Sequence, residues 1–293
     1  MRKIKPYFDD APKELWENAS KKRNKTLNNP LGESKIDLAL SQKEAHDFDR
    51  LVYGSELVKN KLKIIFKCKC AYCETNTYPG AHPDVEHYRN KKRYYWLGYE
   101  WSNFLLACQI CNQNFKKNQF PIANEQKRLK THPLSIMGKF DEKACSIHLL
   151  NKEEEPLLLH PAIDDPRKHL DFLANGDVKP LKKSKKGLNS IRCYGLDRAN
   201  LVEARKKIVQ ETRKEIWEEY AVKNKLTEDE LDTEIRKAIN KLMKRIENDD
   251  EYAGFAEIVL DNFEAFIIDN QDQDIDMPDK EMMRQITKMY LNK

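Results

Sequence analysis

The sequence predicts a mainly α chain with one small α+β insert, and three observations carry that expectation. Its 293 residues are 34% charged with only nine glycines, and its mean hydropathy is −0.82. That composition disfavours a Gly-rich barrel or a multi-turn sandwich and suits long helices with solvated faces. Helix-type apolar patterns flank residues 67–120, whereas that window alone is dense in Cys, Tyr, Trp and Asn. No apolar run approaches the roughly 18 residues needed to span a bilayer. Met1 to Asp10 is charged and lacks an apolar signal core, so a cytoplasmic protein without a membrane segment is expected.

Residues 11–25 read as a short amphipathic helix with Pro12 in its first turn, and Asn28, Asn29, Pro30 and Gly32 break it. Ser41 followed by Glu44 is a capping-box signature. It predicts a helix towards Phe66, with Phe48, Leu51, Val52, Leu57, Val58, Leu62 and Ile65 on its apolar side. Residues 1–66 thus form an N-terminal helical segment packing on the insert, which spans 67–130. Residues 131–210 read as an irregular basic segment, with a KKSKK run at 182–186, followed by a helix that Asp197 would cap. The remainder, 211–293, reads as acidic helices. Thr227 and Glu230 make a second capping box ahead of a helix to about Glu247, and a polar break falls at Asn270–Asp279.

Charge is unevenly spread. Residues 1–130 hold 25 basic and 15 acidic side chains, a net +10, whereas residues 211–293 hold 13 and 22, a net −9. A basic front points to a polyanionic partner, the plainer reading being solvated helix faces.

Of seven cysteines, four form two C-x-x-C pairs, Cys70/Cys73 and Cys108/Cys111. An odd count without a signal segment argues for a reducing compartment rather than a disulfide framework. Two such knuckles supply the four thiolates of a tetrahedral structural Zn²⁺ site. Cys68 precedes the first knuckle and competes with Cys70, but only Cys70 mirrors the second pair's spacing. Cys145 and Cys193 read as buried thiols.

Between the knuckles lie Asp84-Val85-Glu86-His87 and Trp101-Ser102-Asn103-Phe104-Leu105-Leu106, and Asn112 follows the last zinc cysteine. A carboxylate beside a His, an Asn before a Leu-rich stretch, and a polar residue after the second knuckle resemble an HNH endonuclease of the HNN subtype. The resemblance implies a ββα-metal module, zinc-stapled and embedded in a helical domain. In it His87 would take a proton from water, and Glu86 and Asn112 would ligate a catalytic Mg²⁺ or Mn²⁺. Asn103 would steady the loop that positions His87. In a regular strand Glu86 and His87 face opposite ways, so the strand must end or bulge there, and Asp84 is the fallback ligand. Arg89, Lys91, Lys92 and Arg93 are candidate nucleic-acid contacts. Lys116 and Lys117 are placed to meet phosphates, ordinary exposed lysines being the even alternative. Trp96, Tyr99 and Trp101 are expected to pack the module against the preceding helix rather than stack on bases. His82, His132, His148 and His169 lack such context.

The runs CAYCE, EHYRNKK, YYWLGYEWSNFLLACQICN and KKNQFPI are similar to the PtuB-like HNH proteins found beside an ATPase in Septu-type antiphage systems and in some retron loci. Leu157–Pro166 and Tyr194–Arg198 extend the likeness to about residue 215, with Asn90 replacing that group's usual proline. It implies a nuclease effector acting on nucleic acid, DNA favoured over a tRNA-type RNA, with an ATPase partner. A non-catalytic zinc module binding nucleic acid or protein is the alternative from another class. The stripe Leu226, Leu231, Ile235, Ile239 and Leu242 either docks on a partner or completes the chain's own core, the latter being preferred.

Overall fold

Among the described residues the helices α1 (Lys13–Ser20), α2 (Lys35–Gln42), α3 (Arg50–Tyr53) and α4 (Glu56–Ile65) lead to a central hairpin. The computed structural model describes residues 1–22, 33–77, 83–133, 145–223, 225–270 and 279–291. The Asn28–Gly32 break, His82 and most of the Asn270–Asp279 break fall outside them. α1 is shorter than expected, because Lys21 is already extended.

The single helix expected from Ser41 to Phe66 is instead several pieces. The capping box sits earlier, at Ser34 and Asp37, where the Asp37 amide donates to Ser34 Oγ at 3.1 Å. Ser41 Oγ donates back to the Leu38 carbonyl. Residues 46–49 leave the helix because His46 and Phe48 turn inward onto Tyr99, whose hydroxyl accepts the Asp49 amide at 3.0 Å. Asp49 and Ser55 then cap α3 and α4 separately. The broken register buries Val52, Val58 and Leu62 but leaves Leu51 and Leu57 exposed, correcting the predicted apolar side.

β1 (Asp84–His87) pairs antiparallel with β2 (Phe104–Ala107), Glu86 opposite Leu105 and His87 opposite Phe104, every residue buried. A π-type helix, Ile110–Lys116, follows directly. The hairpin packs against α4 and beneath a ring of aromatic side chains. Tyr7 donates its hydroxyl to the Phe104 carbonyl, and Trp101 Nε1 donates to the Tyr7 carbonyl at 3.0 Å. Trp96, Tyr99 and Trp101 are buried, so none is free to stack on a base.

Residues 131–210 are more ordered than the sequence suggests. They hold α5 (Ile147–Glu154), a second hairpin of β3 (Leu170–Phe172) and β4 (Val178–Pro180), and α6 (Lys185–Tyr194). The basic run hides the start of α6, since Ser184 accepts the Gly187 amide as its cap. Asp164 and Asp165 serve turns, accepting the His160 and Arg167 amides. α7 (Ala199–Lys223), α8 (Glu228–Glu247), α9 (Ala253–Asp261) and α10 (Lys280–Leu291) complete the frame. α7 begins one residue later than a cap at Asp197 requires. The Thr227–Glu230 capping box opens α8 as expected. Leu226, Leu231, Ile235, Ile239 and Leu242 are all in the chain's own core. Among the described residues no helix is long and apolar enough to cross a membrane.

Candidate functional site

The two knuckles meet because backbone hydrogen bonds fold each one and join both to the hairpin. The first is a tight turn in which the Cys70 amide donates to the Thr75 carbonyl and the Glu74 amide to the Cys70 carbonyl, both at 2.9 Å. The Ala71 amide donates to the Leu106 carbonyl at 2.8 Å, stitching this turn to β2. The second knuckle closes the turn from β2 into the π-type helix, the Asn112 amide donating to the Cys108 carbonyl. All four sulfurs of Cys70, Cys73, Cys108 and Cys111 consequently lie within 4.8 Å of one another and are buried. Zn–S bonds of about 2.3 Å in a tetrahedron separate sulfurs by ~3.8 Å, and Cys73 Sγ and Cys108 Sγ are 3.8 Å apart. The donor set therefore fits one such ion. Cys68 is outside the cluster and half-buried.

Arg198, a residue no sequence signal marked for this role, donates Nη1 to Cys111 Sγ at 3.3 Å. Thr75 Oγ1 lies 3.2 Å from Cys73 Sγ and 3.1 Å from the Tyr252 hydroxyl. A four-thiolate zinc centre carries net negative charge, so a guanidinium beside it is an electrostatic complement.

On the same hairpin a polar cavity of about 480 Å³ is lined by Asp84, Glu86, His87, Asn112, Lys91 and Lys117 among others. His87 is the last residue of β1, and both it and Glu86 line the cavity. Its Nε2 lies 3.0 Å from the Gly98 carbonyl, and Tyr53 and Phe104 pack edge-on against the ring. A carbonyl only accepts, so Nε2 carries the hydrogen and Nδ1 keeps the lone pair in neutral His87. Burial pushes the His87 pKa down to about 3, and the charges of Lys91 and Lys116 add to that. Burial raises the Glu86 pKa, opposed by the charge of Lys116. Both Lys116 Nζ and the Tyr72 hydroxyl, the latter at 3.4 Å, address Oε1 of Glu86.

Asp84, sharing a strand face with Glu86, accepts the side-chain amides of Asn112 and Gln113 at 2.9 and 2.8 Å. Asn103 is buried in the loop between the strands. Its Oδ1 accepts the Arg89 amide at 2.7 Å, and its Nδ2 donates to the carbonyls of Arg89 and Leu97. One side chain thus ties both ends of the segment that carries Gly98. At Asn90 the side-chain oxygen accepts the Arg93 amide at 2.9 Å, which closes a turn there.

The structure separates the six predicted nucleic-acid contacts. Lys91 and Lys117 line the cavity, and Lys92 and Arg93 are exposed outside its lining. Arg89 and Lys116 have no solvent exposure, which corrects their assignment. Arg89 donates Nε to Glu154 at 3.0 Å and Nη2 to Asn151 at 2.8 Å. Lys116 pairs with Glu86 and donates to the His87 carbonyl at 2.8 Å, holding the hairpin end. Two cations that the sequence did not single out, Arg50 and Lys59, line the cavity from α3 and α4. Of the other histidines described, His132 meets the Tyr95 hydroxyl, His148 packs on Phe8, and His169 meets Ser184.

The strand–strand–helix unit carries a buried four-cysteine cluster that could hold a metal ion and, on its flank, a cavity lined by carboxylates, His87 and Asn112. No protein-family model matches the chain. It is 35% identical over 210 residues to Septu protein PtuB of Bacillus mycoides (strain KBAB4), covering 66% of this chain and 66% of that protein. A more distant similarity, 29% over 175 residues, links it to Septu protein PtuA of the same organism, covering 53% of this chain and 21% of PtuA. The chain is thus a relative of the Septu PtuB proteins and spans about two thirds of the PtuB sequence.

Proposed function

We propose that the chain is a metal-dependent HNH nuclease that hydrolyses phosphodiester bonds in DNA, as the effector of an antiphage defence system acting with an ATPase partner. The observation that carries this reading is one cavity shared by a base, oxygen ligands and a cationic rim. His87, with its Nδ1 lone pair free of the Gly98 contact, is the group that takes a proton from the attacking water. Asn112 Oδ1 and the Glu86 oxygen not held by Lys116 are the donors for Mg²⁺ or Mn²⁺, and such hard oxygens suit those ions. When bound, the ion supplies charge stabilisation to the phosphate. Arg50, Lys59, Lys91 and Lys117 bind the phosphate backbone. The four cysteines hold a structural Zn²⁺ that fixes the hairpin to the π-type helix, and so His87 relative to Asn112.

Purified protein, alone and with the proposed ATPase partner, should cleave DNA in the presence of Mg²⁺ or Mn²⁺. His87→Ala should lower the rate at least 10²-fold while zinc content and circular dichroism stay unchanged. Cleavage of RNA alone would reassign the substrate. Cleavage of neither, with function surviving His87→Ala but lost in Cys73→Ser, would replace the enzyme by a binding module.

A further inference from the structure

Two side-chain amides converge on one carboxylate at the cavity wall. Asp84 Oδ2 accepts Asn112 Nδ2 at 2.9 Å and Gln113 Nε2 at 2.8 Å, and Arg50 Nη2 stands 3.7 Å from Oδ1. Asp84 is buried, so these amides serve an oxygen that water scarcely reaches. An amide can face a neighbour with its NH₂ or with its oxygen, but a carboxylate accepts and does not donate. Asp84 therefore admits one flip of Asn112, with Nδ2 towards the carboxylate and Oδ1 directed away from it. The opposite flip would set oxygen against oxygen and turn the NH₂ towards any cation in the cavity.

We infer that Asp84 is a positioning residue that locks the Asn112 amide so that its oxygen, not its amino group, is offered to a divalent ion. The inference rests on the proposed role of Asn112 as a metal ligand. Glu86 does not serve this task, since its carboxylate is engaged by Lys116, Tyr72 and the His87 backbone. An asparagine at position 84 could donate or accept, and either flip of Asn112 would then be satisfied.

Mn²⁺ binding to the full-length, zinc-loaded protein without nucleic acid tests this, read by electron paramagnetic resonance and calorimetry. Asp84→Asn should weaken Mn²⁺ binding by about 10–100-fold, the usual effect of losing an outer-sphere partner, with zinc content and circular dichroism unchanged. The double variant D84N/N112D reverses donor and acceptor, and a carboxylate presents an oxygen whichever way it turns. It should bind Mn²⁺ within several-fold of wild type. Wild-type affinity in Asp84→Asn overturns the inference alone. So does a double variant as weak as Asp84→Asn, because Asp84 would then be a ligand itself. Absence of Mn²⁺ binding by the wild-type protein overturns the nuclease reading and this inference with it.

Discussion

Lys91 shows how one position serves both packing and charge. Its ammonium donates to the Tyr53 hydroxyl at 2.5 Å and sits 3.9 Å from the centre of that ring, while its side chain lines the cavity. Burial lowers its pKa to about 8, and the charge of Arg50 pushes the same way. Below that pH Lys91 carries its charge, and above it the charge is lost. Affinity for duplex DNA, measured by anisotropy without divalent metal, should therefore fall as pH rises from 7 to 9. Lys91→Arg keeps its charge throughout and should flatten that step. An unchanged pH profile in Lys91→Arg would remove Lys91 from the phosphate contacts. Lys116 and Arg89 make the contrasting case, since both stand in basic or Lys-rich runs yet face inward. A run of cations in sequence does not say which member meets a buried carboxylate. Glu86 and Glu154 decide it, and Glu154 lies 65 residues from Arg89.

The segment between β1 and β2 places His87 by packing as much as by hydrogen bonding. A Cβ added at Gly98 would lie 1.9 Å from a ring carbon of Phe48, and the Gly98 carbonyl is the partner of His87 Nε2. Gly98→Ala should lower stability by about 1–3 kcal/mol, as overpacking does. Because the carbonyl moves with it, DNA cleavage should fall at least tenfold while zinc content is unchanged. F48A/G98A, which clears the clash, should recover cleavage relative to Gly98→Ala, and thermal denaturation with a cleavage assay checks both. The same segment explains what could be read in advance. Asp84–His87 and Asn112 were singled out by their resemblance to HNH endonucleases, and the structure brings them to one cavity, whereas the two C-x-x-C pairs were legible because the spacing within each pair is local. The α8 capping box was legible for the same reason, Thr227 and Glu230 being three residues apart. The break at residues 46–49 was not, since Tyr99, which draws His46 and Phe48 inward, comes 50 residues later. α6 was hidden because Ser184 reads as part of a basic loop until Ile191, Cys193 and Tyr194 are seen to be buried. Arg50 and Lys59 were missed because nothing in sequence ties α3 and α4 to a cavity built by β1 and the π-type helix.

Across the molecule the net +10 front and −9 tail are partly folded onto each other. Asp249, just beyond α8, receives Arg2 at 2.7 Å and also Lys69, which is buried beside the first knuckle. Glu257 on α9 takes Arg2 as well, and Asp261 takes Arg167 at 2.8 Å. Next to these pairs the Gly254 amide donates to Glu74 at 2.8 Å, and Tyr252 meets Thr75 beside Cys73. The acidic region is thus a brace for the first cysteine knuckle along one edge, which narrows any partner surface to its other faces. Asp249→Lys would set three cations together where one carboxylate now neutralises two. An exposed pair contributes less than about 1 kcal/mol, but Lys69 is buried and like-charge contact adds to the loss. A fall in Tm of several degrees is expected, at about 2–4 °C per kcal/mol for a chain near this size. Chelator-driven zinc release, followed with a chromophoric thiol or zinc reporter, should quicken in the same variant. Restoring opposite charges with Lys69→Glu in the Asp249→Lys background should recover part of both, leaving Arg2 as the cation beside the reversed pair. If Tm and zinc release are untouched by Asp249→Lys, the tail does not brace the knuckle, and its charge remains available in full to a partner.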